Sequence, residues 1–484
     1  MKYFLRACAA ALCITLCFSL AGCGSSRPLL DPKSPVTITM WHYYNGAQKD
    51  ALAKLVREFN ATAGKEAGVV VEEFSQADVT TLEESVLAAA AHKPGADKMP
   101  NIFAAYADTA YLADTLGVVA DVASYLSEEE RAAYVEGYLD EGSFGADGSL
   151  KIFPIAKSTE IFMLNQTDWE PFSQASGLSA EQAFATIESL TACAKTYYEW
   201  SDAQTPEPND GKALFGRDAF ANYMIIGARQ LGIELFCVQD GKPTLNFDKQ
   251  VIRRLWDNYY VPTVSGWFTA ENRFRSDDVK VGTILSFVGS SSGASFFPKE
   301  VVVSDTESHP VKMQVLPAPQ FAGGKPFAVQ QGAGMVVTTA TDEEIYASVL
   351  FLKWLTQPER NLTFSMDSGY LPVTKAAVDL TFASAAMDAA NLDAQMRSII
   401  QTGLSTAANN TMYTTKAFAA GREVRNVLEK SMPEKAKADR AAVESALAGG
   451  ADAQTVLAPY CSDENFEAWY AQTLTALQEL LLPA

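Results

Sequence analysis

The amino-acid sequence predicts an α/β protein with mainly parallel sheets that are covered by helices on both faces. Strand-like and helical segments alternate along the chain from residue 36 onward, an order typical of parallel strands joined by crossover helices. Hydrophobic residues make up 48% of the chain, which is enough to fill large cores. Beyond an N-terminal leader the chain has about 460 residues, a length that fits two or three domains.

The first α/β unit begins at residue 36. Residues 36–40 alternate apolar and polar side chains, which predicts a strand. Residues 47–59 predict an amphipathic helix, because its apolar side chains follow the spacing i, i+3, i+4 and i+7. These side chains are Leu52, Leu55, Val56 and Phe59. An aromatic turn, residues 41–44, connects the strand to the helix.

The later elements follow from the same patterns. The sequence predicts further strands at residues 68–74, 100–106, 151–156, 161–165, 281–288, 311–316 and 334–338. It predicts helices at residues 80–91, 181–200, 249–260 and 342–357. The pattern is also mostly helical between residues 165 and 260 and after residue 375.

Residues 1–22 have the pattern of an export signal, with Lys2 and Arg6 ahead of an apolar stretch. This stretch has fourteen residues, whereas a membrane-spanning helix needs about 20. The signal ends in Leu-Ala-Gly-Cys, which resembles the lipobox of bacterial lipoproteins and predicts lipidation of Cys23. An ordinary secretory signal is the alternative. Residues 23–35 are rich in serine and proline and predict a flexible tether.

Charge and composition exclude several classes of partner. The chain carries 38 Lys and Arg against 58 Asp and Glu; without Lys2 and Arg6, 36 basic residues leave a net charge of about −22. Such a charge repels nucleic acid, so we expect no nucleic-acid partner. The three cysteines after Cys23 allow at most one disulfide, and the three histidines lie in no metal-binding motif. We therefore expect neither a metal nor a cofactor.

Four polar and aromatic clusters follow predicted strands, where ligands bind in open α/β sheets. They are residues 41–44, 106–108, 157–160 and 290–292. Aromatic faces combined with hydroxyl, amide and carboxylate groups suit a polyol or a sugar. Each cluster also has a structural alternative: Trp41 and Tyr43 are equally typical of core aromatics, and Lys157 and Glu160 of a solvated ion pair. The serines are typical of a helix cap.

The segment Gly-Ser-Ser-Ser-Gly at residues 289–293 matches the Gly-x-Ser-x-Gly elbow of serine hydrolases. Ser291 would be the nucleophile, and it would require a histidine base further along the chain. His309 is the only histidine downstream, and it lies in the same predicted loop region. A secreted serine hydrolase is therefore kept only as an alternative, and we expect no enzymatic activity.

Four segments, in their order along the chain, resemble extracellular solute-binding proteins of ABC importers. They are "VTITMWHYY", "MPNIFAAYADTAYLADTLGVVADVASYL", "IFPIAKSTEIFMLN" and "FLKWLTQPERNLTFSMDSGYLPVTKAA". This family includes maltose and glycerol-3-phosphate binders, and the resemblance covers essentially the whole mature chain. It implies a periplasmic-binding-protein-like type II fold, with two α/β lobes joined by a hinge with three crossings. It places the crossings near residues 152–154, 316–319 and 370–372. Lobe one would comprise 36–153 plus 316–371, and lobe two 154–315 plus 372–484.

The resemblance also implies ligand contacts at positions that match the family. These are Trp41, Tyr43, Tyr106, Asp108, Ser158, Thr159, Glu160, Ser290, Ser291, Ser292, Gly332, Tyr370 and Lys416. The implied function is capture of an oligo- or monosaccharide and its delivery to the transmembrane subunits of an ABC permease. The protein would act as a monomer, anchored by lipid to the outer face of the bacterial cytoplasmic membrane.

Two other functions within this resemblance stay open. A glycerol-3-phosphate or glycerophosphodiester binder should carry a basic segment near residues 415–421. The sequence has Lys416 there, but Ala419 stands where the family pattern has an arginine. A neutral sugar is therefore the first prediction. A ligand sensor that reports to a membrane kinase is the other alternative.

Overall fold

The computed structural model describes residues 30–144, 148–239 and 241–482. The predicted signal and Cys23 lie outside the described residues. The described strands are β1 (Val36–His42), β2 (Val69–Ser75), β3 (Ile102–Ala105), β4 (Glu160–Asn165), β5 (Phe215–Arg217), β6 (Phe236–Gln239), β7 (Lys242–Leu245), β8 (Ser286–Ser290), β9 (Glu300–Ser304), β10 (Glu307–Pro310), β11 (Met313–Pro317), β12 (Phe327–Val329), β13 (Gly334–Val337) and β14 (Thr411–Tyr413).

Helices connect and cover these strands. The described α-helices are α1 (Gly46–Ala61), α2 (Ala63–Ala67), α3 (Val79–Ala90), α4 (Ala107–Thr115), α5 (Glu128–Ala132), α6 (Glu136–Asp140), α7 (Gln166–Ser176), α8 (Ala180–Ala183), α9 (Ile187–Asp202), α10 (Phe220–Gln230), α11 (Lys249–Asp257), α12 (Tyr260–Val264), α13 (Arg275–Lys280), α14 (Asp342–Leu355), α15 (Pro358–Ser368), α16 (Lys375–Val378), α17 (Leu380–Ala389), α18 (Ala394–Asn409), α19 (Gly421–Ala448), α20 (Ala453–Leu457) and α21 (Asp463–Leu480). None of the helices in the described ranges is long and apolar enough to cross a membrane.

The first large sheet has the strand order β13, β3, β1, β2. β1 runs parallel to β2 and β3, and β13 runs antiparallel to β3. All four residues of β3 are buried, as is typical of a strand in the interior of an α/β sheet. The strands and helix predicted for the first α/β unit are confirmed here.

The second large sheet has the order β11, β4, β8, β5. Here β4 runs antiparallel to both β11 and β8, and only β5 and β8 are parallel. The prediction of mainly parallel sheets is therefore wrong for this sheet. All six residues of β4 are buried, and a strand that is buried on both faces has the same apolar pattern in either direction.

Each sheet lies in its own hydrophobic core, and these cores define two lobes. The core of the first lobe includes Ile38, Phe103 and Phe351, and it surrounds the β13, β3, β1, β2 sheet. The core of the second lobe includes Phe162 and Trp256, and it packs beside the other sheet. The fold class is thus confirmed as two α/β lobes.

Three passages of the chain run side by side between the lobes. The backbone of Lys157 pairs with Leu371, and the backbone of Ser158 pairs with Gln331. The Ser158 amide donates to the Gln331 carbonyl at 2.9 Å, and the reverse bond has the same length. These adjacent passages, near residues 157–158, 330–332 and 371, are the first, second and third crossings of the hinge that the fold class predicts.

Gly332 allows two of the crossings to approach closely. Its φ is +94°, and a Cβ atom at this position would lie 2.9 Å from the Ala156 carbonyl oxygen and 3.1 Å from the Lys157 Cα. An L-residue would be both strained and crowded there. The geometry therefore requires glycine at this crossing.

The exact lobe boundaries stay a prediction, although the packing near the crossings is clear. The segment predicted as the second crossing, residues 316–319, begins at the end of β11, which pairs with β4 of the second lobe. Phe321 and Val329 also belong to the second core, whereas Ala333 belongs to the first. At the N-terminus, Leu30 packs against the first core, so part of the predicted tether contacts that lobe.

Several elements differ from the sequence predictions. Strands β5, β6 and β7 lie in the region predicted as helical, and the helix predicted over 181–200 is divided into α8 and α9. The division occurs because Thr186 begins α9 with a capping box that includes Ser189. The strand predicted from residue 281 begins at Ser286, since α13 continues to Lys280 and Gly282 turns with φ +71°.

Candidate functional site

A cavity of about 580 Å³ lies between the two lobes, next to the crossings. The first lobe contributes the starts of α3 and α4 and the segment after α6, and the second contributes α10, the segment 413–418 and the start of α19. The polar residues that line the cavity are Thr80, Glu83, Tyr106, Asp108, Glu141, Asn222, Gln330, Gln331, Tyr413, Thr414, Thr415, Lys416, Arg422, Arg425, Asn426 and Glu429. Three predicted site residues, Tyr106, Asp108 and Lys416, are therefore part of this lining.

The predicted aromatic residues Tyr43, Tyr106 and Tyr370 lie together on the first lobe. The rings of Tyr43 and Tyr106 stack with centroids 6.5 Å apart, and the hydroxyls of Tyr43 and Tyr370 are 3.4 Å apart. Burial is the main cause that raises the pKa of all three hydroxyls, so they stay neutral donors at physiological pH. The cluster offers aromatic faces and neutral hydroxyl groups.

The serine run and the strand after the first crossing are also adjacent. Ser290 lies opposite Glu160 in the pairing of β8 and β4. The Ser291 amide donates to the Thr159 carbonyl at 2.8 Å, and the hydroxyls of Ser290 and Ser292 are 2.9 Å apart. The structure thus brings two of the predicted clusters to one edge of the second sheet.

Ser292 joins this edge to the first lobe. The Gln48 side-chain amide of α1 donates to the Ser292 carbonyl at 3.0 Å. The lobes therefore touch at this rim of the cleft.

Glu160 belongs to a buried network within the second lobe. One carboxylate oxygen pairs with Arg217 at 2.5 Å, and the other accepts from the Asn222 amide at 2.9 Å. The side-chain oxygen of Asn222, Oδ1, in turn accepts a hydrogen bond from the Arg425 guanidinium at 2.6 Å. Glu160 therefore holds Asn222 and Arg425, both of which line the cavity.

Cationic side chains of the cavity come mainly from the first turns of α19. Arg422 lies 3.5 Å from Glu83 of the first lobe, so this pair spans the cleft. Glu83 also accepts from the Thr109 hydroxyl at 2.9 Å, and burial is the main cause that raises its pKa. Within the described ranges, Arg425 has only the neutral Asn222 as a side-chain partner. The cavity can therefore accept both hydroxyl and anionic groups.

The remaining predicted residues have other surroundings. Trp41 is 7% exposed and belongs to the core of the first lobe, so among the described residues it is not part of the cavity lining. Ser158 and Gly332 belong to the crossings, where Ser158 is 2% exposed. Their roles as ligand contacts stay predictions.

The arrangement of the described residues lacks the base that a serine hydrolase requires. Ser291 is buried, and its hydroxyl has no hydrogen-bond partner within the described part of the chain. His309 instead lies 2.7 Å from Asp168, in the first turn of α7, the helix that follows β4. No histidine thus serves Ser291 there.

Sequence reasoning missed Asn222, Glu141, Arg422 and Arg425. Ala419 stands where the resemblance to glycerol-3-phosphate binders implies an arginine, and the structure has arginines three and six residues later, on the first turns of α19. The pattern Gly-Arg-Glu-Val-Arg places both arginines on one helix face, which was the available signal. Within the described ranges, no group of three or more potential metal ligands occurs, and Cys193, Cys237 and Cys461 are free.

Two α/β lobes, three adjacent crossings and a polar cavity between the lobes define a hinged binding protein. The family model of the bacterial extracellular solute-binding proteins matches residues 54–394, and the chain belongs to this family. Members of the family are binding proteins rather than enzymes and act outside the cytoplasm. A comparison with curated proteins gave no match.

Solved structures show the same fold. The cyclic α-maltosyl-1,6-maltose binding protein of Arthrobacter globiformis aligns with a TM-score of 0.68 at 17% identity, over 93% of this chain and 99% of that one. UgpB of Mycobacterium tuberculosis, in complex with glycerophosphocholine, gives 0.64 at 18% identity, over 93% and 100%. The GacH receptor of Streptomyces glaucescens, solved with acarbose, gives 0.64 at 15% identity, over 92% and 98%.

Proposed function

We propose that the protein is the substrate-binding lipoprotein of an ABC importer. It captures an oligo- or monosaccharide between its lobes and delivers it to the transmembrane subunits of the permease. One observation carries this proposal: the cavity of about 580 Å³ is lined by both lobes and lies directly at the hinge. This volume falls within the range of about 300 to 1,000 Å³ that is usual for small-molecule sites.

The chemistry of the cavity supports a sugar. Tyr106 provides an aromatic face, and Asp108, Asn222 and Gln331 provide groups that can accept or donate hydrogen bonds. A ligand with many hydroxyl groups can satisfy such groups from both lobes at once. The sugars named for the structural neighbours from Arthrobacter and Streptomyces support the same class.

A second candidate is a ligand with an anionic group, such as a glycerophosphodiester. Arg422 and Arg425 favour it, because guanidinium groups bind phosphate in a bidentate manner. The glycerophosphocholine complex of the Mycobacterium tuberculosis neighbour gives this candidate further support. A sensor that reports to a membrane kinase would use the same cavity and the same closure.

The proposed mechanism is ligand-stabilised closure without a chemical step. A ligand shifts the open and closed populations only when its contacts are better in one state. Because groups from both lobes line the cavity, a bound sugar can make its full set of contacts only when the lobes are close. The closed form is then the form that the permease receives.

The proposed location follows from the N-terminal sequence. Cys23 would carry the lipid and hold a monomeric protein at the outer face of the cytoplasmic membrane. One acyl chain binds membranes only weakly, so the anchor requires more than one chain. The diacylation that is expected from the lipobox resemblance would meet this requirement.

A thermal-shift panel tests the proposal. We would use the chain from Gly24 onward, which keeps Leu30 and its contacts with the first lobe. Ligands would include mono-, di- and oligosaccharides, polyols and glycerophosphodiesters. A ligand at a hundredfold excess over Kd stabilises the folded state by about 2.7 kcal/mol. Stabilisation by sugars alone would support the first candidate, and stabilisation by phosphodiesters alone would support the second. If no ligand shifts the unfolding temperature of the folded protein, both candidates are contradicted.

A further inference from the structure

A buried ion pair connects the cavity to the crossings. The Lys157 ammonium group lies 2.7 Å from the Glu141 carboxylate, and the two side chains are 1% and 5% exposed. Lys157 belongs to the first crossing, whereas Glu141 directly follows α6 of the first lobe. Removal of two charges from water is costly, and such a pair persists only with good geometry and further hydrogen bonds.

The second crossing supplies those hydrogen bonds. The Lys157 ammonium also donates to the Gly332 carbonyl at 2.9 Å. The Gln330 amide donates to the same Glu141 oxygen, Oε2, at 2.5 Å, and to the Gly137 carbonyl at 3.1 Å. A single carboxylate oxygen therefore holds side chains from two crossings.

The backbone fixes Glu141 against the chain that leads into the first crossing. The Lys151 amide donates to the Gly142 carbonyl at 2.8 Å. A Cβ atom on Gly142 would lie 2.1 Å from the Ile152 carbonyl oxygen, so only glycine permits this approach. Glu141 thus has a fixed position relative to the hinge.

Glu141 also borders the cavity. Glu141 is one of the lining residues, as is Gln330. Both hydrogen bonds to its carboxylate go to Oε2, and no described residue donates to Oε1. A carboxylate oxygen without a donor suits a hydroxyl group of a ligand.

We propose that Glu141 couples the ligand to the hinge: its Oε1 accepts a ligand hydroxyl while its Oε2 holds Lys157 and Gln330 of the crossings. The inference rests on the proposed function for the identity of the ligand. Glu141 is then a positioning residue: when a ligand occupies the cavity, the contacts of Glu141 change how rigidly the crossings are held. The hydroxyl donor can belong to a sugar or to the glycerol part of a phosphodiester.

Hydrogen exchange at the crossing amides of Ser158 and Gln331 tests this coupling. Maltotriose and glycerophosphocholine serve as probes, and the variants are Glu141→Gln and the double variant Glu141→Gln with Lys157→Met. Replacement of both charges avoids an unpaired buried ammonium group, so the double variant is expected to fold. Asp114→Asn is the matched control. It breaks the ion pair between Asp114 and Lys151, which belongs to the same lobe but does not line the cavity.

In the wild type and the control, a saturating probe that binds should slow exchange at Ser158 and Gln331 by about tenfold. In the double variant, binding measured by calorimetry should persist at weaker affinity, and this slowing should fall below about twofold. Equal slowing in the double variant would overturn the proposal, because closure would then not depend on Glu141.

The ligand-free protein provides a separate test if neither probe binds. Glu141→Gln should speed exchange at Ser158 and Gln331 by about tenfold, with amides of β1 unchanged. If amide exchange instead becomes faster by the same factor in β1 and in the crossings, the ion pair has only a structural role, and the coupling is overturned. Failure of both probes to bind the wild type would count against the proposed function alone.

Discussion

Two buried ion pairs lie at the crossings or next to them. Lys157 and Glu141 form one such pair, and Glu160 and Arg217 form another, with all four side chains at most 8% exposed. A buried ion pair seldom stabilises a fold more than apolar packing would, but the loss of one partner leaves a costly charge. We therefore interpret these pairs as devices that orient neighbouring polar groups.

The first residue-scale prediction concerns Glu160→Gln. The variant leaves the Arg217 charge buried without its counter-ion, so we expect the free energy of unfolding to fall by about 3 to 5 kcal/mol. Urea denaturation measures this change. The control Asp367→Asn breaks an exposed pair with Lys54 and should cost less than about 0.5 kcal/mol. Equal effects of the two substitutions would contradict the role given to Glu160.

The second residue-scale prediction concerns pH. Burial raises the pKa of Asp218 from 3.8 to about 6, although the adjacent Arg275 opposes this shift. Between these two pH values the folded state binds more protons than the unfolded state, so stability falls as pH rises from about 4 to 6. Because the side chain is 30% exposed, we expect a loss of about 1 to 2 kcal/mol.

Denaturation of the wild type and Asp218→Asn across pH 4 to 7 checks this assignment. The wild type should lose stability relative to the variant between pH 4 and 6, and the difference should then stay constant. Parallel stability curves throughout this window would show that Asp218 does not titrate with a raised pKa.

At the residue scale, the sequence indicated the polar clusters but not their partners. Glu160 was grouped with Lys157 by proximity in sequence, whereas the structure pairs Glu160 with Arg217 and Lys157 with Glu141. Such long-range pairs depend on sheet pairing that no local pattern shows. Trp41 illustrates the same limit, since an aromatic residue at a strand end has one sequence pattern whether it faces a core or a ligand.

At the element scale, the hinge depends on close backbone contact. The third prediction therefore concerns Gly332→Ala, which adds a Cβ atom at φ +94° against Ala156 and Lys157. The control Gly323→Ala also has a positive φ, +72°, but no atom lies within 4 Å of its Cβ position. Left-handed strain alone costs about 1 to 2 kcal/mol.

Thermal or urea unfolding separates strain from crowding in these two glycine variants. Gly323→Ala should lose only the strain energy, and Gly332→Ala should lose at least about 1 kcal/mol more because the crossings must move apart. Equal losses would mean that the crossings tolerate a side chain at residue 332.

The elements that the sequence predicted well are long and strongly patterned, such as α1, α14 and β1. The missed strands β5, β12 and β14 have three residues each, which is too short for a period to appear. The direction of β4 could not be predicted, because direction depends on which strands become its neighbours. The capping box at Thr186 explains why α8 and α9 are separate helices, but its hydrogen bonds are seen only in the structure.

At the scale of the whole molecule, the fold was predicted through its resemblance to a family, and the family match and structural neighbours confirm it. The cavity was predicted only in outline. Its second-lobe wall comes from segments that are far apart in sequence, chiefly α10 and the start of α19. Their meeting follows from the packing of α10 against α19, which local patterns do not contain.

The fourth prediction concerns the anchor. Cys23→Ser removes the sulfur that a lipid would modify, so we expect the protein to move from the membrane fraction to the medium or the soluble extracytoplasmic fraction. Immunoblots of the fractions measure this change. Cys461→Ser is the control and should leave the distribution unchanged. Retention of the Cys23 variant in the membrane would contradict lipid anchoring.

The central claim is that a sugar binds in the cavity and contacts both lobes. A crystal structure of the protein with the highest-affinity sugar from the ligand panel tests this claim most directly. We predict density for the sugar between Tyr106 and Asp108 of the first lobe and Asn222 of the second. Density for the sugar elsewhere, or contacts with one lobe only, would contradict the account.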